Sequence, residues 1–166
     1  MKVVIIAVLL MLSAICSATE TAFSSCNRIR LKKLADDGNK SAKKAMNICD
    51  NFDKALTAIL VGNNVVNISS SSLATVLFTE KFGKGSVGLA TVVMTVLVLI
   101  FGEILPKSLA KENSERFSIL MAAPLSAFMF IITPITAIFM GIKSGVTKLK
   151  TVSGSRKAAE RRPGRV

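Results

Sequence analysis

The stretch VGLATVVMTVLVLIFGEILPK, residues 87 to 107, decides how the chain is read. Its first nineteen residues carry a single charge, Glu103, and are long enough to cross a ~30 Å hydrocarbon core as a helix. A carboxylate in such a run costs roughly 2.5 to 3.5 kcal/mol on an insertion scale, so it marks a functional site by default. Pro106 follows three residues later and has no N–H, which leaves the carbonyl four residues back, that of Gly102, without its helical partner. A freed backbone oxygen beside a carboxylate has the makings of a cation site.

The rest of the composition fits a membrane setting. The chain has 166 residues, is 51% hydrophobic, lacks Trp, Tyr and His, and carries a formal charge of +12. Its charges gather at the ends of apolar runs, and no base-stacking aromatics are interleaved with them, which argues against a nucleic-acid partner. With no His, no paired nucleophile and base, and no glycine-rich phosphate loop, an enzyme is not expected. Cys16, Cys26 and Cys49 have no CxxC spacing, so a zinc or disulfide framework is unsupported.

Upstream of residue 87 lie two further runs. The first, residues 3 to 25, begins after Lys2 and imitates a signal peptide, with VVIIAVLLML followed by the small-residue SAICSA. Ser13, Ser17 and Glu20 nevertheless fall on one helical face, and a polar stripe on an apolar helix expects a bundle rather than cleavage. The second run, residues 55 to 79, is interrupted by Gly62, Asn63, Asn64, Asn67 and Ser69 to Ser72. Asparagine within lipid must find partners, either as glue between helices or as ligands of an ion. Between the two runs, residues 26 to 54 are basic and water-facing, expected to form two short helices that break near Asp37-Gly38-Asn39.

Downstream, residues 117 to 142 form an uncharged run of 26 residues. Hydropathy alone calls it a span, but the positive-inside rule disagrees. The 26 to 54 loop holds eight basic and four acidic residues, and the tail after 142 holds eight and one. Both belong on the cytoplasmic side, which allows only an even number of crossings between them. Residues 55 to 79 and 87 to 105 already supply two. The expectation is therefore an all-α membrane protein with three transmembrane helices and an N-terminus outside. Residues 117 to 142 become an interfacial belt divided by Pro124 and Pro134 into pieces too short to span. Residues 143 to 166 read as a basic, disordered, cytoplasmic tail.

Three ordered blocks carry a resemblance. LSAICSATETAFSSCNRIRLKKLADDGNKSAKKA, ILVGNNVVNISSSSLATVLF and LIFGEILPKSLAKENSE together resemble the transmembrane domain of the CorC/cyclin-M (CNNM) magnesium transporters over roughly residues 9 to 141. The resemblance implies three transmembrane helices with a belt of short juxtamembrane helices, a homodimer in the plasma (inner) membrane, and magnesium export or homeostasis, with sodium coupling proposed for some members. It also implies an ion site built from serines of the first helix, an asparagine-containing break in the second, and the motif glutamate. Carried over, these are Ser13, Ser17, Asn63 or Asn64, Asn67, and Glu103 with the Gly102 carbonyl. Glu20, Gly62, Pro106 and Lys107 take structural or gating roles. Typical members continue into regulatory CBS modules, which are expected to be absent from this chain.

The chemistry suits magnesium, a hard cation that wants oxygens and dehydrates reluctantly. One carboxylate among neutral oxygens holds it weakly enough to release. The motif sits toward the cytoplasmic end of its run, so the site is expected to open inward in at least one state. The alternative function is a membrane ion sensor or interaction module that binds the cation without moving it.

Overall fold

The computed structural model describes residues 1 to 133, all of its regular structure helical. Helix α1 (Lys2–Ser25) leads through Asn27 into α2 (Arg28–Asp36) and α3 (Lys40–Asp50). Next come α4 (Phe52–Phe82), a single 3-10 turn (Lys84–Ser86) and α5 (Val87–Leu97). A π-helical segment (Val98–Ile104) then carries the chain into α6 (Leu105–Glu112), and α7 (Ser114–Thr133) closes the described residues. Met1–Phe130 form one compact unit. Pro134, the rest of the expected belt, and the tail from 143 to 166 lie outside the described residues.

The water-facing hairpin forms as its composition requires. Gly38 adopts φ +92°, a left-handed conformation that favours glycine, and so ends α2. Asn39 then caps α3, its side-chain oxygen accepting from the Ser41 and Ala42 N–H groups. Asn27 caps α2 in the same way through Ile29 and Arg30.

Among the described residues, three helical stretches are long and apolar enough to cross a membrane: Lys2–Ser25, Lys84–Glu112 and Ser114–Thr133. At 31 residues α4 is longer than any of the individual helices, about 46 Å at 1.5 Å per residue, but its Asn and Ser residues dilute its hydropathy. Two expectations are corrected. The asparagine-containing stretch is no break, because α4 runs unbroken through Gly62, Asn63, Asn64 and Asn67. Asn63 satisfies its polar group sideways, by accepting from Ser13, and Gly62 leaves room for the ring of Phe128. Nor does Pro124 divide the last run, since α7 is continuous through it. Proline's fixed φ is itself helical and removes a single backbone hydrogen bond, while Ala122 and Leu125 hold that turn in the main core.

Ion pairs and core contacts give the relative directions. Lys2 pairs with Glu80, so the start of α1 meets the end of α4, and the two run antiparallel. Ile6 packs with Ala74 and Met94, Ser13 meets Asn63 and Gly102, and Lys107 lies 3.5 Å from Glu20. The rod from α5 to α6 therefore runs parallel to α1. At the Glu20 end, Phe23, Leu31, Ala45, Ile48, Cys49, Ala55 and Ile59 make the largest apolar core.

Candidate functional site

The site begins with the π-helical segment. Its i−5 register is shown by the Leu105 N–H donating to the Ile100 carbonyl, and Pro106 follows directly. In an i−4 ladder the carbonyl facing Pro106 is Gly102's, whereas in the i−5 ladder it is Phe101's. The register change thus alters the expectation that proline frees one particular oxygen. Extra residues in a turn of this kind are frequent at functional sites, and Glu103 lies within it.

Gly102 is buried against α1. A Cβ built there would meet Ser13 Oγ at 3.0 Å and Ser13 Cβ at 3.5 Å. Ser13 is itself fully buried and donates to Asn63 Oδ1 at 2.8 Å. One layer of the bundle thus joins Ser13, Asn63 and Gly102, from three segments distant in sequence. Gly102→Ala is expected to cost about 1 to 3 kcal/mol by overpacking, read as a lowered midpoint of thermal unfolding in detergent. Adding Ser13→Ala should relieve the clash with the hydroxyl but give up its hydrogen bond to Asn63, so that it recovers only part of a loss at the upper end of that range.

From this layer the polar residues continue in both directions. Asn67 is one turn from Asn63 toward the Lys2 end, and with Ser71, Met94, Thr95, Val98, Leu99 and Glu103 it lines a cavity of about 240 Å³. Asn67 Oδ1 is buried and has no hydrogen-bonding partner among the described residues. Ser17 lies one turn from Ser13 toward the opposite, Glu20 end, and its buried Oγ is likewise unpartnered. Since α1 and α4 are antiparallel, Ser17 and Asn67 diverge by about four residues on each helix, on the order of 12 Å along the axis. The expected ligands therefore do not form one shell. They form a track, with the Asn67–Glu103 cavity on one side of the Ser13–Asn63–Gly102 layer and Ser17 on the other.

The remaining residues are placed as follows. Asn64 is exposed, about 100° around α4 from Asn63, and the structure does not bring it to the track. Glu20 and Lys107 pair at the end of the track beyond Ser17. Gly62 packs against Phe128, where a Cβ would come within 2.6 Å of the ring tip. Ser71, named only within the Ser69 to Ser72 interruption, and Thr95 were not among the expected ligands, although each continues a helical i, i+4 pattern, from Asn67 to Ser71 and from Thr95 through Leu99 to Glu103. No group of three or more His, Cys, Asp or Glu side chains gathers among the described residues, so any cation here depends on neutral oxygens and one carboxylate.

The sequence also concealed a thiol contact. Cys26 Sγ and Cys49 Sγ lie 3.5 Å apart at the Glu20 end, brought together by the folding of α2 and α3 across the end of α1. Arg28 braces them, donating to the Cys49 carbonyl at 2.8 Å.

Comparison with known proteins agrees with the blocks quoted above. The family model described as "Cyclin M transmembrane N-terminal domain" matches residues 4 to 162. A UPF0053 protein of Haemophilus influenzae is 39% identical over 132 residues, covering 80% of this chain and 31% of the relative. The UPF0053 inner membrane protein YfjD of Escherichia coli is 36% identical over 154 residues, 87% of this chain and 35% of its own. A chloroplastic DUF21 domain-containing protein of Arabidopsis thaliana is 33% identical over 150 residues, 90% of this chain and 23% of its own. The chain thus spans about a third or less of the length of these curated relatives.

Proposed function

The chain belongs to the cyclin M transmembrane N-terminal domain family, and from that membership and the polar track we propose that it carries magnesium across the membrane. The observation that bears most weight is the pair of unpartnered oxygens, Asn67 Oδ1 and Ser17 Oγ, on either side of one closed layer. A buried polar group without a partner costs roughly 1 to 3 kcal/mol, a cost offset if a cation or its water binds there.

The cation binds in the cavity bounded by Asn67, Ser71, Thr95 and Glu103, whose volume of about 240 Å³ exceeds several times the ~30 Å³ share of one water. It therefore arrives with much of its water shell, as magnesium prefers. Glu103 supplies the charge and the neutral oxygens replace some of the waters. The Ser13 to Asn63 hydrogen bond, packed against Gly102, closes the way onward. Parting that bond turns both oxygens toward the ion and admits it to Ser17. Beyond Ser17 the Glu20–Lys107 pair closes the cytoplasmic end of the track. Sodium in the same cavity is the natural coupling ion.

In this reading α1, α4 and the rod from α5 to α6 cross the bilayer with the N-terminus outside. The basic hairpin of α2 and α3 lies on the cytoplasmic side. A second copy of the chain covers the open side of the cavity in a homodimer. The test is a structure of crystals soaked in manganese, a magnesium substitute with anomalous signal. A peak within ligand distance of Glu103 and Asn67, lost in excess magnesium, is the expected result. Manganese bound only at the Asp36 and Asp50 surface would refute the site.

A further inference from the structure

We infer that Cys26 and Cys49 form a redox-active dithiol, with Cys26 as the attacking sulfur and Cys49 as the resolving one. The geometry supports it first. The two sulfurs are already in contact at 3.5 Å, and side-chain rotation needs to bring them only about 1.5 Å closer to reach a bond of ~2.05 Å. Their exposures differ: Cys26 is partly open at the end of α1, while Cys49 is almost wholly buried in the core with Phe23, Leu31 and Ile48.

The hydrogen bonding sets the polarity of the pair. Cys26 directs its own S–H at the Phe23 carbonyl, 3.4 Å away, so within the pair the proton belongs to Cys49. Once Cys26 ionises, the Cys49 S–H stabilises the thiolate, with Ser118 and the Arg28 charge adding to it; these outweigh burial and lower Cys26 to about 7. Cys49, holding the shared proton and desolvated, is raised well above the ordinary thiol value. An attacking thiol near neutrality beside a protonated resolving thiol is the arrangement that favours exchange.

The oxidant is a low-molecular-weight disulfide. The Cys26 thiolate attacks one of its sulfurs, forming a mixed disulfide and expelling one thiolate, which takes up a proton. Cys49 then loses its proton and attacks Cys26 Sγ, expelling the second thiol and closing the Cys26–Cys49 bond. Two electrons pass from the protein to the oxidant, giving two small thiols and one protein disulfide. The closed loop contains α2 and most of α3, so oxidation fastens the basic hairpin to the end of α1.

The experiment incubates the full chain in detergent with oxidised glutathione and maps thiols by mass spectrometry under non-reducing conditions. Wild-type protein should lose two thiols and yield a Cys26–Cys49 crosslinked peptide within one chain, with Cys16 retained. Cys49→Ser should accumulate one glutathione on Cys26, and Cys26→Ser should react at Cys49 at least about tenfold more slowly, since an ordinary thiol is only a few per cent ionised at neutral pH. Alkylation rates in the unsubstituted protein read the same polarity without any variant, Cys26 again leading about tenfold. Equal rates at the two sulfurs, glutathione retained without a crosslink, or a bond between chains would each overturn the inference.

Discussion

Glu103→Gln is expected to lower magnesium affinity by up to about a hundredfold while leaving the protein folded. Glutamine keeps the shape and one oxygen of the side chain and removes only the charge. A charge-assisted contact is worth up to about 3 kcal/mol, close to a factor of 10² in binding. Stability should rise slightly if it changes, because an uncharged amide costs less than a carboxylate beside lipid. Calorimetric titration of the purified protein with magnesium, together with its thermal midpoint, separates the two effects. Unaltered affinity would mean that Glu103 faces the cavity for structural reasons alone.

The second expected effect is a divergence between stability and transport. Ser17→Ala and Asn67→Leu each remove a buried oxygen that lacks a protein partner. If those oxygens played no part in transport, their loss would raise stability in the same way but leave magnesium flux unchanged. As stations for a cation they are a cost to the empty protein, so each substitution should raise stability by about 1 kcal/mol and lower magnesium flux by about tenfold. Ser13→Ala should behave differently, because it breaks a made hydrogen bond to Asn63 and destabilises by about 1 kcal/mol. Thermal midpoints and flux measured on the same three preparations distinguish the cases; a parallel loss of both in Ser17→Ala would contradict the track.

Much of this arrangement can be read in the residues themselves. The break at Gly38-Asn39 follows from local chemistry, since one residue must tolerate positive φ and the next must cap. The polar stripe of Ser13, Ser17 and Glu20 follows from helical spacing, and Glu20 does find a partner in Lys107. The cost of a carboxylate in an apolar run leads to Glu103 without any structure.

What local rules could not supply was the relative level of residues on different helices. Ser17 and Asn67 suit one shell as a list of oxygens, but antiparallel packing carries them apart, and only the Ser13–Asn63 contact fixes the register. Propensity also misled at Asn63 and Pro124. A bundle partner satisfies the first and core packing retains the second, and both are tertiary effects. Cys26 and Cys49 meet only because the hairpin folds back, and a spacing of 23 residues carries no local signal. The π-helical register around Glu103 likewise shifts which carbonyl faces Pro106, and nothing short of backbone geometry reveals it.

Passage of magnesium along this track is tested most directly by flux across a sealed membrane. Vesicles reconstituted with the chain and loaded with a magnesium-sensitive dye should show saturable magnesium entry down a gradient, with manganese competing and Glu103→Gln reducing the rate to that of empty vesicles. Saturable binding with no flux at any gradient, in either direction and with or without sodium, would contradict transport and leave a membrane-embedded sensor in its place.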